Sequence, residues 1–215
     1  MRTADIKPTR SELLAVKRRI QLSNRAYTLL KRKQDGLMLE LVRVIGELKR
    51  LHYELATRYD VSQRLIAVAY MMEGATGVAI AAESIEQVPT IERSVKHILG
   101  VGVPVYHEHG VKKNLDERGY CILGTDSVID DVAGAFEDLI TSVIRAAASQ
   151  TELRLILAEF VRTRRRVRAL EYRLIPDLIE ERNYIQLRRD EMDREEASRL
   201  FHIKKVKVER DRVRH

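Results

Sequence analysis

The side chains best equipped for chemistry sit in the middle of this 215-residue chain. His107 and His109 flank Glu108. Two imidazoles at i and i+2 lie on one side of a strand and could share a metal ion, but no third ligand stands at a convincing spacing. The reading is a pair of exposed histidines and no metal site. Gly100 and Gly102 make a lone Gly-Val-Gly with no Gly-Lys after it. It lacks the lysine that a phosphate-cradling loop needs, so a strand is expected there. Cys121 is the single cysteine, which excludes an internal disulfide and a cysteine-based zinc site. In Tyr-Cys-Ile-Leu it reads as a small buried hydrophobe. The carboxylates between Asp190 and Glu196 recur at helical i,i+3 and i,i+4 spacing among arginines, as on a solvated helix face. These residues give no catalytic site and no cofactor site, and the chain reads as a non-enzyme.

The chemistry this chain does carry is charge. Its net charge is +7, and residues 1–33 hold ten Lys/Arg against Asp5 and Glu12, so that segment alone is +8 and the remainder is −1. Further basic clusters run from Arg162 to Arg168 and from Lys204 to Arg214. Any one cluster could be a solvated helix face, but their gathering toward both ends points to an acidic partner. A pI near 9.6 would also suit nucleic acid. There is no recognisable reading motif, however, and the aromatics are not interleaved with the basic clusters as stacking platforms would be.

The elements that must position these charges are long helices. From Leu13, steps of three and four residues fall on Val16, Ile20, Ser23, Tyr27, Leu30, Gln34, Leu37, Leu41, Val44, Leu48, Leu51, Leu55, Arg58, Ser62, Leu65, Ala69 and Met72, and fourteen of the eighteen stops are apolar. One rule held over that span predicts one helix with one apolar seam, a coiled-coil arm of roughly 90 Å. Thr9 or Ser11 is its expected start, with Pro8 just ahead. Its polar stops Ser23, Gln34, Arg58 and Ser62, with Gly36 and Gly46, are expected to leave it locally loose, open to twist or to partners. A second ladder, Val132, Leu139, Ala146, Leu153, Phe160, Val167 and Leu174, keeps a seven-residue spacing, with Phe136, Val143, Ile156, Leu157 and Leu170 filling in. Leu178, Ile185 and Met192 keep that spacing beyond Pro176, where a kink is expected. Thr125, Asp126 or Ser127 should cap the start.

Eight of the ten glycines fall between Gly74 and Gly134, with Pro89 and Pro104 among them. Val95, Ile98, Val101, Val103 and Val105 predict one or two short strands, and residues 118–124 another. The expected architecture is mainly α: a long antiparallel two-helix coiled coil with a small central β-hairpin module. Its parts are a tail at 1–8, a helix at 9–72, the hairpin module at 73–125 and a helix at 126–212. With the turn near residue 102, paired residues would sum to about 204, placing Leu30 beside Leu174 and both termini at one basic tip. No signal-peptide pattern and no apolar run of eighteen residues is present, which reads as a soluble, cytosolic chain.

Particular strings add a resemblance. IKPTRSELLAVKRRIQL at residues 6–22, LLKRKQDGLMLEL at 29–41, RRRVRALEYRLIPDLIEERNYI at 164–185 and REEASRLFHIKKVK at 194–207 resemble the D subunit of the archaeal (A-type) and vacuolar-type rotary ATPases. The likeness runs through both ladders in order and covers essentially the whole chain. It implies a central rotor stalk, peripheral on the cytoplasmic face of the membrane. The stalk's terminal end would enter the hexamer of A and B subunits, a small F subunit would bind near the hairpin, and a C- or d-type subunit would couple it to the membrane ring. Neither nucleotide nor nucleic acid is expected to bind the stalk directly. Arg18, Arg19, Arg32, Arg164, Arg165 and Arg166 are the expected hexamer contacts. The expected seam is Leu13, Ile20, Tyr27, Leu30, Leu41, Leu48, Leu55, Leu153, Phe160, Val167 and Leu174, with Pro176 as the kink.

Overall fold

Helix α1 runs unbroken from Arg10 to Met72 because nothing in it interrupts the apolar stripe. The computed structural model describes residues 8–85, 89–114, 118–120 and 126–213, with side chains described as far as residue 207. Thr9 caps α1: its Oγ1 accepts the Glu12 N–H at 3.2 Å, and its carbonyl accepts the Leu13 N–H at 3.0 Å. Of the eighteen ladder stops only Met72 is exposed. The chain then turns at Gly74, whose φ of +72° suits glycine, and enters α2, Gly74–Glu83, at 118° to α1. This ten-residue helix falls inside the segment expected to be the hairpin module.

Strands β1, Thr90–Ile98, and β2, Val101–His109, pair antiparallel with Thr90 opposite His109 and Ile98 opposite Val101. They are joined by Leu99 and Gly100, both at positive φ, the backbone of a two-residue hairpin turn whose twist matches that of the strands. Of the expected strand at 118–124, residues 118–120 are not in a strand, and Cys121 to Thr125 lie outside the described residues. Helix α3, Ser127–Ala169, follows Asp126, whose carbonyl accepts the Ile129 N–H. A π-helical segment, Leu170–Leu174, leads into α4, Ile175–Val213.

The chain divides into two compact units, residues 1–34 with 162–215, and residues 35–161. In the second, the core is Leu37, Leu41, Val44, Val103 and Ile156, with Ile98, Val101, Leu153 and Phe160 packed on it. The hairpin therefore lies against the flank of the helix pair, its tip over Gly36: a side chain there would begin 3.2 Å from Leu99 Cδ1. Each buried core side chain stabilises by about 1.5–3 kcal/mol gross. In the first unit, Leu13, Val16 and Ile185 form a core with Ile20 and Tyr184.

Register differs from expectation. Arg43 meets Glu152, Arg58 meets Asp138 and Ser62 meets Ala135, pairs that sum to 195, 196 and 197 rather than about 204. The pairing thus lies about one heptad from the expected one; the strand turn sits at Leu99–Gly100 instead of Gly102, which accounts for only part of that shift. The α3 seam also differs. Val143 and Leu157 are exposed, and the inward series is Ser142, Ser149, Ile156 and Thr163, seven residues apart and all buried. Short polar side chains fill positions where an apolar stripe was sought. After half-buried Leu170 the next buried residue of the series is Leu178, eight residues on, followed by Ile185. The π segment holds the extra residue, since a π turn takes one more than an α turn. Its hydrogen bond runs from the Ile175 N–H to the Leu170 carbonyl. Leu174, expected in the seam, is 45% exposed for that reason.

Candidate partner-binding surfaces

Exposure and free charge define the first surface. Arg18 and Arg19 lie between buried Val16 and half-buried Ile20, and Arg164, Arg165 and Arg166 lie between buried Thr163 and Val167. Heptad geometry turns the intervening positions outward. These five and Arg32 are all exposed and all belong to the unit of residues 1–34 and 162–215. None has an ion-pair or hydrogen-bond partner among the described residues. That unit holds 27 Lys/Arg against 13 Asp/Glu, a net +14, while residues 35–161 hold 12 against 19, a net −7. The whole-chain charge of +7 hides this segregation.

Helix α4 extends the same surface. Its contact with α1 centres on Ile185 and Tyr184, near the start of α1 at Arg10. From Glu191 to Lys205 every side chain is exposed, including Leu200, Phe201 and Ile203. The carboxylates there pair along the helix, Arg188 with Glu191 at 3.1 Å and Arg189 with Asp193 at 3.4 Å, as a solvated face does.

The second surface is the hairpin flank of residues 35–161, which is held by a dense polar network. Arg43 binds Glu40 at 2.7 Å, Glu47 at 3.0 Å and, across to α3, Glu152 at 3.3 Å. The hydrogen bond from Arg43 holds the Glu40 carboxyl below its ordinary pKa. Burial pushes that of Glu152 up, against the pull of Arg43. Lys112 binds Asp138 at 2.8 Å and lowers its pKa. Two of the four polar stops expected to be loose are tied: Arg58 donates to the Asp138 carbonyl at 2.8 Å. Ser62, fully buried, lies 2.9 Å from the Arg58 carbonyl and 3.2 Å from that of Ala135. Beyond them Arg118 pairs with Asp130 at 3.2 Å and Glu137 at 3.3 Å. Burial opposes its charge, but the Tyr120 hydroxyl and Glu137 prevail and raise its pKa. Gly119, at φ +86°, passes so close to helix α2 that a Cβ would sit 2.5 Å from the Ser84 carbonyl oxygen. No periodic signal in the sequence marks Arg118 or Gly119, because they hold a loop.

His107 and His109 stand exposed on β2, near Ser94 and Glu92 respectively. Among the described residues no group of three or more His, Cys, Asp or Glu is placed to hold a metal ion, and no single helix is long and apolar enough to cross a membrane. Cys121 lies outside the described residues.

Known proteins share this whole arrangement of sequence. The family model for the ATP synthase D subunit matches residues 12–205. The A-type ATP synthase D subunit of Methanoregula boonei is 47% identical over 208 residues, covering 97% of this chain and 98% of that protein. That of Methanosarcina mazei is 41% identical over 204 residues, covering 95% and 98%. That of Haloquadratum walsbyi is 40% identical over 203 residues, covering 94% and 86%. Matches of this extent take in both long helical stretches and the hairpin between them, and the chain belongs to the family of ATP synthase D subunits.

Proposed function

We propose that this chain is the central stalk subunit of an A-type ATP synthase, transmitting torque between an ion-driven membrane ring and the sites where ATP is made or hydrolysed. The observation that carries the reading is family membership over nearly the full length. It favours a stalk over a basic coiled coil that binds nucleic acid. In this reading the chain is not a catalyst and binds no nucleotide. Its part is mechanical, and the reacting groups belong to the A and B subunits.

The unit of net charge +14 engages the A/B hexamer. Support comes from Arg18, Arg19, Arg32, Arg164, Arg165 and Arg166, which have no partner among the described residues, and from the exposed length of α4. Such charges steer and orient an acidic or carbonyl-lined partner over about 8 Å at physiological salt. The unit of residues 35–161 holds the small F subunit on the hairpin flank and meets the C- or d-type coupling subunit. Torque must pass between helices without slip, and the cross-helix bonds of Arg43, Arg58 and Ser62 resist sliding of α3 along α1. As part of that complex the chain sits peripherally on the cytoplasmic face of the membrane.

Purification through a tag on this chain from its native cells tests the reading. The A, B, F and C-type subunits and an ATPase activity should come with it. Recovery of nucleic acid with steeply salt-dependent binding, and no ATPase, would reject it.

A further inference from the structure

The π turn at Leu170–Leu174 adds one residue to a seam that otherwise repeats in sevens. Its place along the helix is fixed from both sides. Moved toward α3, it would let the α4 phase run back in sevens from Leu178 and Ile175, which brings Glu171 and Arg168 into the seam. Moved further into α4, it would let the α3 phase run on from Leu170 and Val167, which brings in Asp177 and, past Leu174, Glu181. Either shift presses charge into an apolar contact. Pro176 suits the same place: an α-helix would have its N–H donate to the Tyr172 carbonyl, and proline has none.

The core does not need the added residue. Without Leu174, the side chains of Leu170, Ile175, Leu178 and Ile185 would fall on one unbroken heptad pattern. What the turn changes is the outer surface. Residues 171–174 are all exposed, Tyr172 at 75% and Leu174 at 45%. Half-buried Ile175 takes the inward place that Leu174 would hold in an uninterrupted α3. Around this apolar pair, residues 164–174 carry five arginines against Glu171 alone, a net +4 over about three turns of helix. Tyrosine and arginine are residue types in which interface energy concentrates, and single π turns within α-helices are frequent at functional sites. The partner complementary to such a patch offers an apolar pocket with an acidic rim.

We propose that the π turn seats Tyr172 and Leu174 in an apolar, acid-rimmed pocket of the A/B hexamer, beside the contacts of Arg164, Arg165 and Arg166. The proposal rests on the stalk reading and adds to it one apolar anchor, set outside the seam by the added residue.

Four full-length chains would be melted alone and then titrated onto an A/B hexamer reassembled from its subunits: wild type, Tyr172→Ala, a deletion of Leu174 and a deletion of Ala158. Ala158 is exposed in α3, away from the π turn, and its deletion is the control. It turns the rest of α3 by about 100° and should melt several degrees lower. Deletion of Leu174 should melt at the wild-type temperature or higher, because the helix loses its π turn and keeps its seam. That deletion and Tyr172→Ala should each bind the hexamer about tenfold more weakly. A Leu174 deletion that melts as low as the Ala158 deletion would overturn the proposal, since the turn would then serve the fold. So would wild-type affinity for the hexamer in either Tyr172→Ala or the Leu174 deletion. If the wild-type chain itself does not bind the hexamer, the stalk reading fails, and this contact with it.

Discussion

Helices α1 and α3 each contribute to both compact units, yet the units bury and expose different chemistry. In residues 35–161 several charged side chains are paired across elements: Arg43 with Glu152, Lys112 with Asp138, Arg118 with Asp130 and Glu137. In residues 1–34 and 162–215 three ion pairs run along α4, and six arginines between the seam positions have no partner among the described residues. The first pattern fixes one arrangement of a chain that changes direction several times. The second leaves charge available for another molecule. A heptad seam serves both, because it sets which positions face inward and leaves the outward ones to function.

Substitutions that break the paired pattern should cost the most. Arg118→Ala leaves Asp130 and Glu137 without their cation where the Arg118 side chain is only 11% exposed. A loss of about 3 kcal/mol is expected in chemical denaturation. Next comes Ser62→Leu. The heptad pattern alone would have this change complete the seam and stiffen the coil. The fully buried hydroxyl beside the Ala135 carbonyl instead leaves no room, so overpacking should destabilise by about 1–3 kcal/mol. A rise in melting temperature would show that the helices separate there at little cost.

Two glycines of α1 sharpen the contrast at smaller scale. Gly46 has open space around it, so Gly46→Ala should stabilise by about 0.5–1 kcal/mol through helix propensity. Gly36→Ala meets Leu99 and should forfeit much of that gain. Equal melting temperatures for the two variants would mean that the hairpin tip does not rest on Gly36.

The pH response should be smallest. Glu40 and Asp138 have lowered pKa values, so the stability they confer is present above their ordinary values of 4.5 and 3.8 and is lost as pH falls through the folded ones. Glu152, raised by burial, acts in the opposite sense: the folded chain holds its proton more tightly, and stability falls as pH rises from 4.5 through the folded value. Glu152→Gln should therefore leave the melting temperature at neutral pH unchanged or slightly higher, read by calorimetry. A clear drop would mean that the pair with Arg43 outweighs the burial.

Much of this is legible in the sequence because a heptad is a long, redundant signal. Leu13, Leu41 and Val167 can each be read from neighbours seven residues away, and the two valine-rich strands from their composition. The α3 seam is only partly legible because Ser142, Ser149 and Thr163 are buried polar residues, which apolar patterning does not find. Leu174 falls out of the seam because one extra residue in a π turn shifts the phase without changing composition. Helix α2 is short and rich in Gly and Ala, and it has no long stripe to read. The arginines of the first unit stand out in the sequence as clusters. That six of them lack partners among the described residues, while Glu152, Asp138, Asp130 and Glu137 of the second unit have them, depends on three-dimensional pairing.

The central claim is that the unpaired arginines serve a partner and not the fold. Arg164→Glu, Arg165→Glu and Arg166→Glu combined, reassembled into the complex, test it most directly. The isolated variant should keep its melting behaviour to within about 0.5 kcal/mol, as exposed substitutions do, while coupled ATPase activity falls severalfold. Unchanged coupling with an intact complex would contradict the account.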